Sequence, residues 1–363
     1  MSLIPIPGER VHSVPGLVPY LPQIVYVLSG GAAKGFCHLG MIEALEKEGI
    51  RPDFIVGTSV GALLGALYSH FGNVGDVCKR ITEVLSSDEF QAFEKKYFGE
   101  RKATDEHVDR GVRHFFSSIS ENLRNTVHLG MSFITSAMVA EKDALSLFRK
   151  IFEGITCENL KIPFAAVAVD LSEGVPAIFT SSKAQGGQST VRIMTGHDGL
   201  VKAVMASSAI PLIFPAVEMG GHQFADGCIM ANLPVREARR LYPGQDSILV
   251  GFDVLPPVLR PEEEPSSVEL ALRLLDLAMR SKQEADRELV DIIFKPVDED
   301  YPWSAFSEFE KFIELGRRYM TEERLAAFER VVRSKCLANV KREKTISRRL
   351  IATARLERFV RKS

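Results

Sequence analysis

The chain has 363 residues, of which 45% are hydrophobic and 25% charged, the balance of a folded globular protein and not of a disordered, collagenous or coiled-coil one. Lys plus Arg number 45 against 47 Asp plus Glu, a formal net charge of −2; no whole-chain basic field results, and no nucleic-acid partner is expected. The five cysteines, Cys37, Cys78, Cys157, Cys228 and Cys336, contain no C-x-x-C pair, so neither a disulfide framework nor a zinc site is expected and a reducing, cytoplasmic setting fits best.

Residues 1–22 read as an extended arm broken by Pro5, Pro7, Pro15, Pro19 and Pro22, with no apolar signal-peptide core. Ile24 to Leu28 is a short apolar run rich in β-branched residues, as in a central strand buried on both faces. The glycine cluster at Gly30 and Gly31 ends it, and apolar residues at helical spacing from Phe36 to Leu45 predict a helix stopped by Gly49. Phe54 to Val56 predicts a second strand and Val60 to Tyr68 a second helix. Strand-helix-strand-helix order argues for a parallel sheet with right-handed crossovers. The uncharged stretch Phe54 to Gly75 has the length of a membrane span, but its five glycines and its polar residues fit a buried strand-turn-helix better.

Residues 76–158 read as a mostly helical insertion or cap. Strands are expected again at Phe164 to Val169 and Ala177 to Thr180, and a helix from Gly199 to Ser207. The Gly220-Gly221 pair suits a hairpin between Ala216 to Met219 and His222 to Ala225. Ser247 to Phe252 is another buried strand. Beyond residue 255, helices are expected near 267–292, 304–318 and 321–340, with a strand at Asp291 to Lys295. The terminal residues 341–363 hold nine Lys or Arg and two Glu. As a helix they would be basic and roughly amphipathic, suited either to peripheral contact with an anionic membrane or to a solvated terminal helix.

Gly57-Thr58-Ser59-Val60-Gly61 is a G-x-S-x-G sequence between an apolar strand and an apolar helix, the setting of a nucleophile elbow. A tight turn there lifts the serine oxygen above the sheet edge, and small residues on either side let backbone and helix approach closely. The alternative is a serine that merely caps the helix. Gly30-Gly31-Ala32-Ala33-Lys34-Gly35, between the first strand and first helix, can present adjacent N–H groups to an oxyanion. Its spacing matches neither of the common nucleotide-binding glycine loops. A serine needs a base. Asp198 is explained as a helix cap and Asp170 as a turn former, while Asp226 and Asp253 remain equal candidates on spacing alone. Among the eight histidines, His38 lies within the first helix and reads as a packed residue.

These motifs in this order, with Asp226-Gly227-Cys228 as the third, resemble the patatin-like phospholipases. That family has a G-G-G-x-[KR]-G loop, a G-x-S-x-G elbow and a D-G-[GA] motif. The text from Ala206 to Pro211, Phe214-Pro215 and Ala231 to Val235 is similar too, over roughly Ile24 to Asp253. The resemblance implies a three-layer α/β sandwich with a central, mostly parallel sheet, bounded near 23–255, with a helical C-terminal extension at 256–363. It implies a Ser59–Asp226 dyad acting on phospholipid, lysophospholipid or other acyl-lipid esters, with no metal or organic cofactor. Gly31, Ala32 and Ala33, with Val60, fall where the family's oxyanion donors stand, within the loop Gly30 to Gly35 that includes Lys34. A partly desolvated Asp226 is expected, since an ordinary carboxylate is a poor match for a serine proton. Two residues depart from the pattern: Ala32 replaces a glycine, which makes positive φ costly, and Cys228 replaces Gly or Ala. Met131, Phe133, Ile134 and Met138 would line an acyl groove or belong to the core. Competing functions are an esterase or thioesterase on soluble substrates, and a membrane-binding signalling module with incidental catalysis.

Overall fold

β1 (Gln23–Leu28) and β2 (Phe54–Thr58) form because apolar, largely β-branched residues fill positions that helices cover on both sides; all five residues of β2 are buried. The computed structural model describes residues 21–98, 137–181, 190–211, 213–242, 247–255, 267–296 and 306–360. The loop after β1 enters a 3-10 turn at Ala32–Phe36 and then α1 (Cys37–Lys47). After β2 come α2 (Val60–Phe71), ended by Gly72 in the left-handed conformation, α3 (Val74–Leu85) and α4 (Asp88–Phe98). The chain then gives α5 (Glu141–Ile151), β3 (Phe164–Asp170), β4 (Val175–Thr180), β5 (Val191–Ile193) and α6 (Gly196–Ser207). The hairpin β6 (Val217–Met219) and β7 (His222–Asp226) turns at Gly220 and Gly221, both at positive φ. It leads to the short α7 (Cys228–Ala231), α8 (Val235–Leu241) and β8 (Ser247–Phe252). The last elements are α9 (Ser267–Asp286), β9 (Ile292–Phe294), α10 (Phe309–Tyr319) and α11 (Glu322–Val360).

The sheet runs β5-β4-β3-β2-β1-β8-β9, with β7 on β3 and β6 on β7. Its centre, from β3 to β9, is parallel; the β3–β4 and β3–β7 pairings are antiparallel. Alternate strand residues serve opposite faces. Tyr26, Leu28, Ile55, Val250 and Phe252 join the larger core beneath α1, α2, α6 and α10, whereas Val25, Val27, Val56 and Leu249 join a smaller one beneath α8. These are the three layers that the family resemblance implies.

Differences from the sequence expectations have local causes. The helix expected from Gly199 begins at Gly196, so Asp198 lies in its first turn and pairs with Arg149 at 3.2 Å without capping it; negative charge in a first turn is favourable. The helix expected to 292 stops at Asp286, and β9 extends the sheet beside β8. The chain beyond residue 255 is therefore built into the sheet and its helical layer. There α10 meets α1 so closely that a Cβ on Gly40 would strike Ile313 O and one on Gly316 would strike Cys37 O. The helix expected at 321–340 continues to Val360 because no Gly or Pro interrupts it. Met138 packs against the core. Met131, Phe133, Ile134, most of the N-terminal arm and the side chains of the basic tail beyond 343 lie outside the described residues. Among the described residues no helix is long and apolar enough to cross a membrane.

Candidate active site

Ser59 sits at the junction of β2 and α2 with φ 56°, a left-handed conformation that a serine adopts only when its surroundings impose it. The surroundings are close packed: a Cβ on Gly57 would meet Gly61 O, and one on Gly61 would meet the carbonyls of Leu28 and Ser29. The flanking glycines are thus demanded by backbone contact. Ser59 occupies the position before the first helical residue, yet its side chain makes no capping bond, which removes the helix-cap explanation for a serine here. Its N–H donates to Ser207 Oγ at 3.0 Å, and that hydroxyl donates to Val167 O at 2.5 Å. Thr58 Oγ1 donates to Ala231 O at 2.7 Å, so both sides of the turn are tied to neighbouring elements.

One strand brings the distant aspartate to this turn. Along the same edge of β3, β2 pairs first, ending with Thr58 opposite Val167, and β7 pairs next, with Asp226 opposite Ala168. β2 and β7 run toward each other and stop head-on at consecutive β3 residues, which puts Ser59 and Asp226 side by side. Asp226 is 2% exposed. Its Oδ1 accepts the Cys228 N–H at 2.8 Å, while its buried Oδ2 makes no hydrogen bond of standard geometry. Burial raises the carboxyl to about 6, against the opposing influence of the Cys228 thiol and N–H and of the Ser59 hydroxyl. A carboxylate of this strength beside a serine can take up its proton near neutral pH, and a loose approach without substrate is usual for such pairs. The Cys228 thiol is held well above its usual range by burial and by the neighbouring carboxylate, so it stays protonated.

The glycine-rich loop adjoins both residues. A Cβ on Gly30 would overlap Cys228 Sγ and approach Asn232 Oδ1 to 2.9 Å and Ser59 Cβ to 3.2 Å. Gly30 N–H is engaged by Asn232 O at 3.1 Å and Lys34 N–H by Gly31 O at 3.2 Å, so these two amides serve the loop itself. Ala32, at φ 48°, carries the strain expected of alanine in a glycine position. Gly31, Ala32 and Ala33 open the 3-10 turn, and Val60 opens α2, where the first N–H groups of a helical segment lack intrahelical acceptors. Lys34 is buried, and Gly35 packs so closely on Val60 that a Cβ would overlap its side chain.

Of the two aspartates that spacing left equal, Asp226 lies beside Ser59 and Asp253 is held elsewhere. Asp253 is engaged by Lys295 Nζ at 2.9 Å and by the Leu255 N–H at 3.0 Å. Asp170 accepts the N–H groups of Ser172 and Glu173 as a turn former and pairs with Arg192 at 2.7 Å. His38 is fully buried with Nε2 2.9 Å from Ser29 O, and burial pushes it down to about 4, so it is neutral. Ser207 and Asn232 were not singled out by chemistry: a serine on a predicted helix and an asparagine before a proline carry no local signal. Among the described residues no cluster of three or more His, Cys, Asp or Glu is placed to hold a metal ion.

The family model described as patatin-like phospholipase matches residues 26–239. The chain is similar to Lysophospholipase NTE1 of Debaryomyces hansenii, 23% identical over 318 residues that make up 81% of this chain and 17% of that protein. It is also similar to an uncharacterised NTE family protein of Mycobacterium tuberculosis, 28% identical over 216 residues, 59% of this chain and 45% of that one. The chain thus spans less than half the length of these curated relatives. Among solved structures, VipD from Legionella pneumophila aligns with a TM-score of 0.38 at 15% identity, covering 83% of this chain and 66% of VipD. ExoU of Pseudomonas aeruginosa, in complex with SpcU, aligns at 0.33 and 16%, covering 88% and 53%. With the model matching more than half of its length, the chain belongs to the patatin-like phospholipase family.

Proposed function

We propose that the protein is a serine acyl hydrolase that cleaves carboxylic ester bonds of phospholipids or lysophospholipids, with Ser59 as nucleophile and Asp226 as base. The observation that carries this is the meeting of a strained, uncapped serine and a buried carboxyl raised to about 6 at adjacent positions of β3. In the reaction, Asp226 takes the Ser59 proton as Oγ bonds to the ester carbonyl carbon. The oxyanion is held by N–H groups from Gly31, Ala32, Ala33 and Val60. Collapse of the tetrahedral intermediate expels the alcohol, which receives the proton from Asp226. Water, deprotonated by the same carboxylate, then releases the fatty acid and restores Ser59. These steps use no metal or organic cofactor. The lipid substrate is supported by family membership and by the lysophospholipase name of the yeast relatives.

Fluorophosphonate labelling and product analysis on mixed phospholipid vesicles test the proposal together. Ser59→Ala should abolish labelling and lower the ester rate by about a thousandfold, and Asp226→Asn should lower both steeply. Retention of more than about a tenth of the rate by Ser59→Ala would remove the nucleophile. Turnover confined to soluble short-chain esters would favour a general esterase.

A further inference from the structure

α9 is built inside out. Its polar side chains face the domain: Asp286, 4% exposed, is engaged by Arg236 (Nε at 3.0 Å) and Lys282, and Gln283 Oε1 accepts the Asn232 Nδ2–H at 2.9 Å. Its outer face is apolar. Leu270, Leu274 and Leu277 are 50%, 59% and 41% exposed and recur at helical spacing, with Leu275 at 45% beside them. Toward its C-terminal end Arg280 pairs with Asp276 at 2.8 Å, and Arg287, just beyond the helix, with Glu284 at 3.4 Å. A solvated helix normally has the reverse arrangement, and a contiguous exposed leucine surface marks a place where another apolar phase is met.

Its location says which phase. α9 packs on α7, whose first residue, Cys228, touches the Asp226 carboxyl, and Gln283 holds the Asn232 side chain that lies against Gly30. Ile229 of α7, 37% exposed, is a further exposed apolar side chain on the short helix that α9 packs against. We propose that the outer face of α9, with Ile229, is the surface by which the protein docks on a phospholipid aggregate, setting Ser59 beside the lipid esters. This rests on the acyl-lipid reading of the site, because such substrates are met at the surface of a bilayer or micelle. Since the exposed residues that make the face are leucines and an isoleucine, it suits a neutral, zwitterionic surface; a basic terminal segment would require anionic lipid and low salt.

The test uses the full chain and vesicles of phosphatidylcholine alone, at high salt. In the Ser59→Ala background, which leaves the vesicles intact, replacing Leu270, Leu274 and Leu277 together by Gln should reduce co-flotation by roughly tenfold or more. In the active protein the triple substitution should reduce vesicle hydrolysis in parallel and leave hydrolysis of p-nitrophenyl butyrate unchanged, because the leucines are solvent-facing. Equal flotation and equal vesicle hydrolysis would overturn the proposal. So would a concentration-dependent dimer, seen in sedimentation, that the substitutions dissolve without affecting flotation, since a second copy would then cover the face. Leucine-dependent flotation by a protein inactive on every ester would leave the docking surface standing and refute the hydrolase reading.

Discussion

At the scale of single residues, the site depends on two side chains whose settings differ in kind. Ser59 is distinguished by backbone: its positive φ and its lack of a capping bond mean that the turn is maintained by packing of Gly57 and Gly61. Asp226 is distinguished by environment, with burial raising its carboxyl and the Cys228 thiol acting against that rise. The sign of the pH dependence follows: the base is competent when ionised, so kcat/KM on a soluble ester should fall as pH drops through about 6. Cys228→Gly, which restores the family's usual residue, removes a dipole that favours the carboxylate. Its acid limb should therefore move upward, with about a threefold loss at pH 5.5 and little change at pH 8; Cys228→Ser should reverse the shift. Superimposable profiles for all three proteins would show that the thiol does not act on the base. The strand-turn-helix setting of Ser59, the proposed nucleophile, was legible in the sequence because its pentapeptide lies between two apolar segments. Asp226 was singled out as the proposed base only through family resemblance, since Asp226 and Asp253 end strands alike and only three-dimensional pairing shows Lys295 on one of them.

At the scale of elements, the central strands were the most legible features, because a strand buried on both faces must be continuously apolar. Helix ends were less so: Gly199 is only the fourth residue of α6, and Asp286 ends α9 where its carboxylate meets Arg236. The least legible contact is the crossing of α1 and α10, which joins residues more than 270 positions apart, as in the Arg317–Glu43 bond of 2.7 Å. Gly40 and Gly316 let each helix rest on the other's backbone. Gly316→Ala should therefore separate them and destabilise the fold by about 2 kcal/mol, outweighing the roughly 1 kcal/mol that alanine would add to an isolated helix. Urea titration reads the difference; a more stable variant would contradict the close crossing.

At the scale of the whole molecule, the chain beyond residue 255 supplies β9 to the sheet edge and α10 and α11 to the larger core, through Phe294, Phe312, Phe328 and Val332. Ending the chain at 255 should leave β8 as a bare edge and α1 uncovered, and the product should be insoluble or lack a cooperative melt. A soluble truncated protein with the full-length melting profile would show that this segment is dispensable. This interdependence was not apparent from composition, because a helical, charge-rich tract reads as an appendage until its short strand β9 is paired. The abutting ends of β2 and β7 bear on access to the chemistry. No main-chain ladder joins those two segments to each other, so a reactant can settle over the paired hydroxyl and carboxyl without unzipping any part of the sheet.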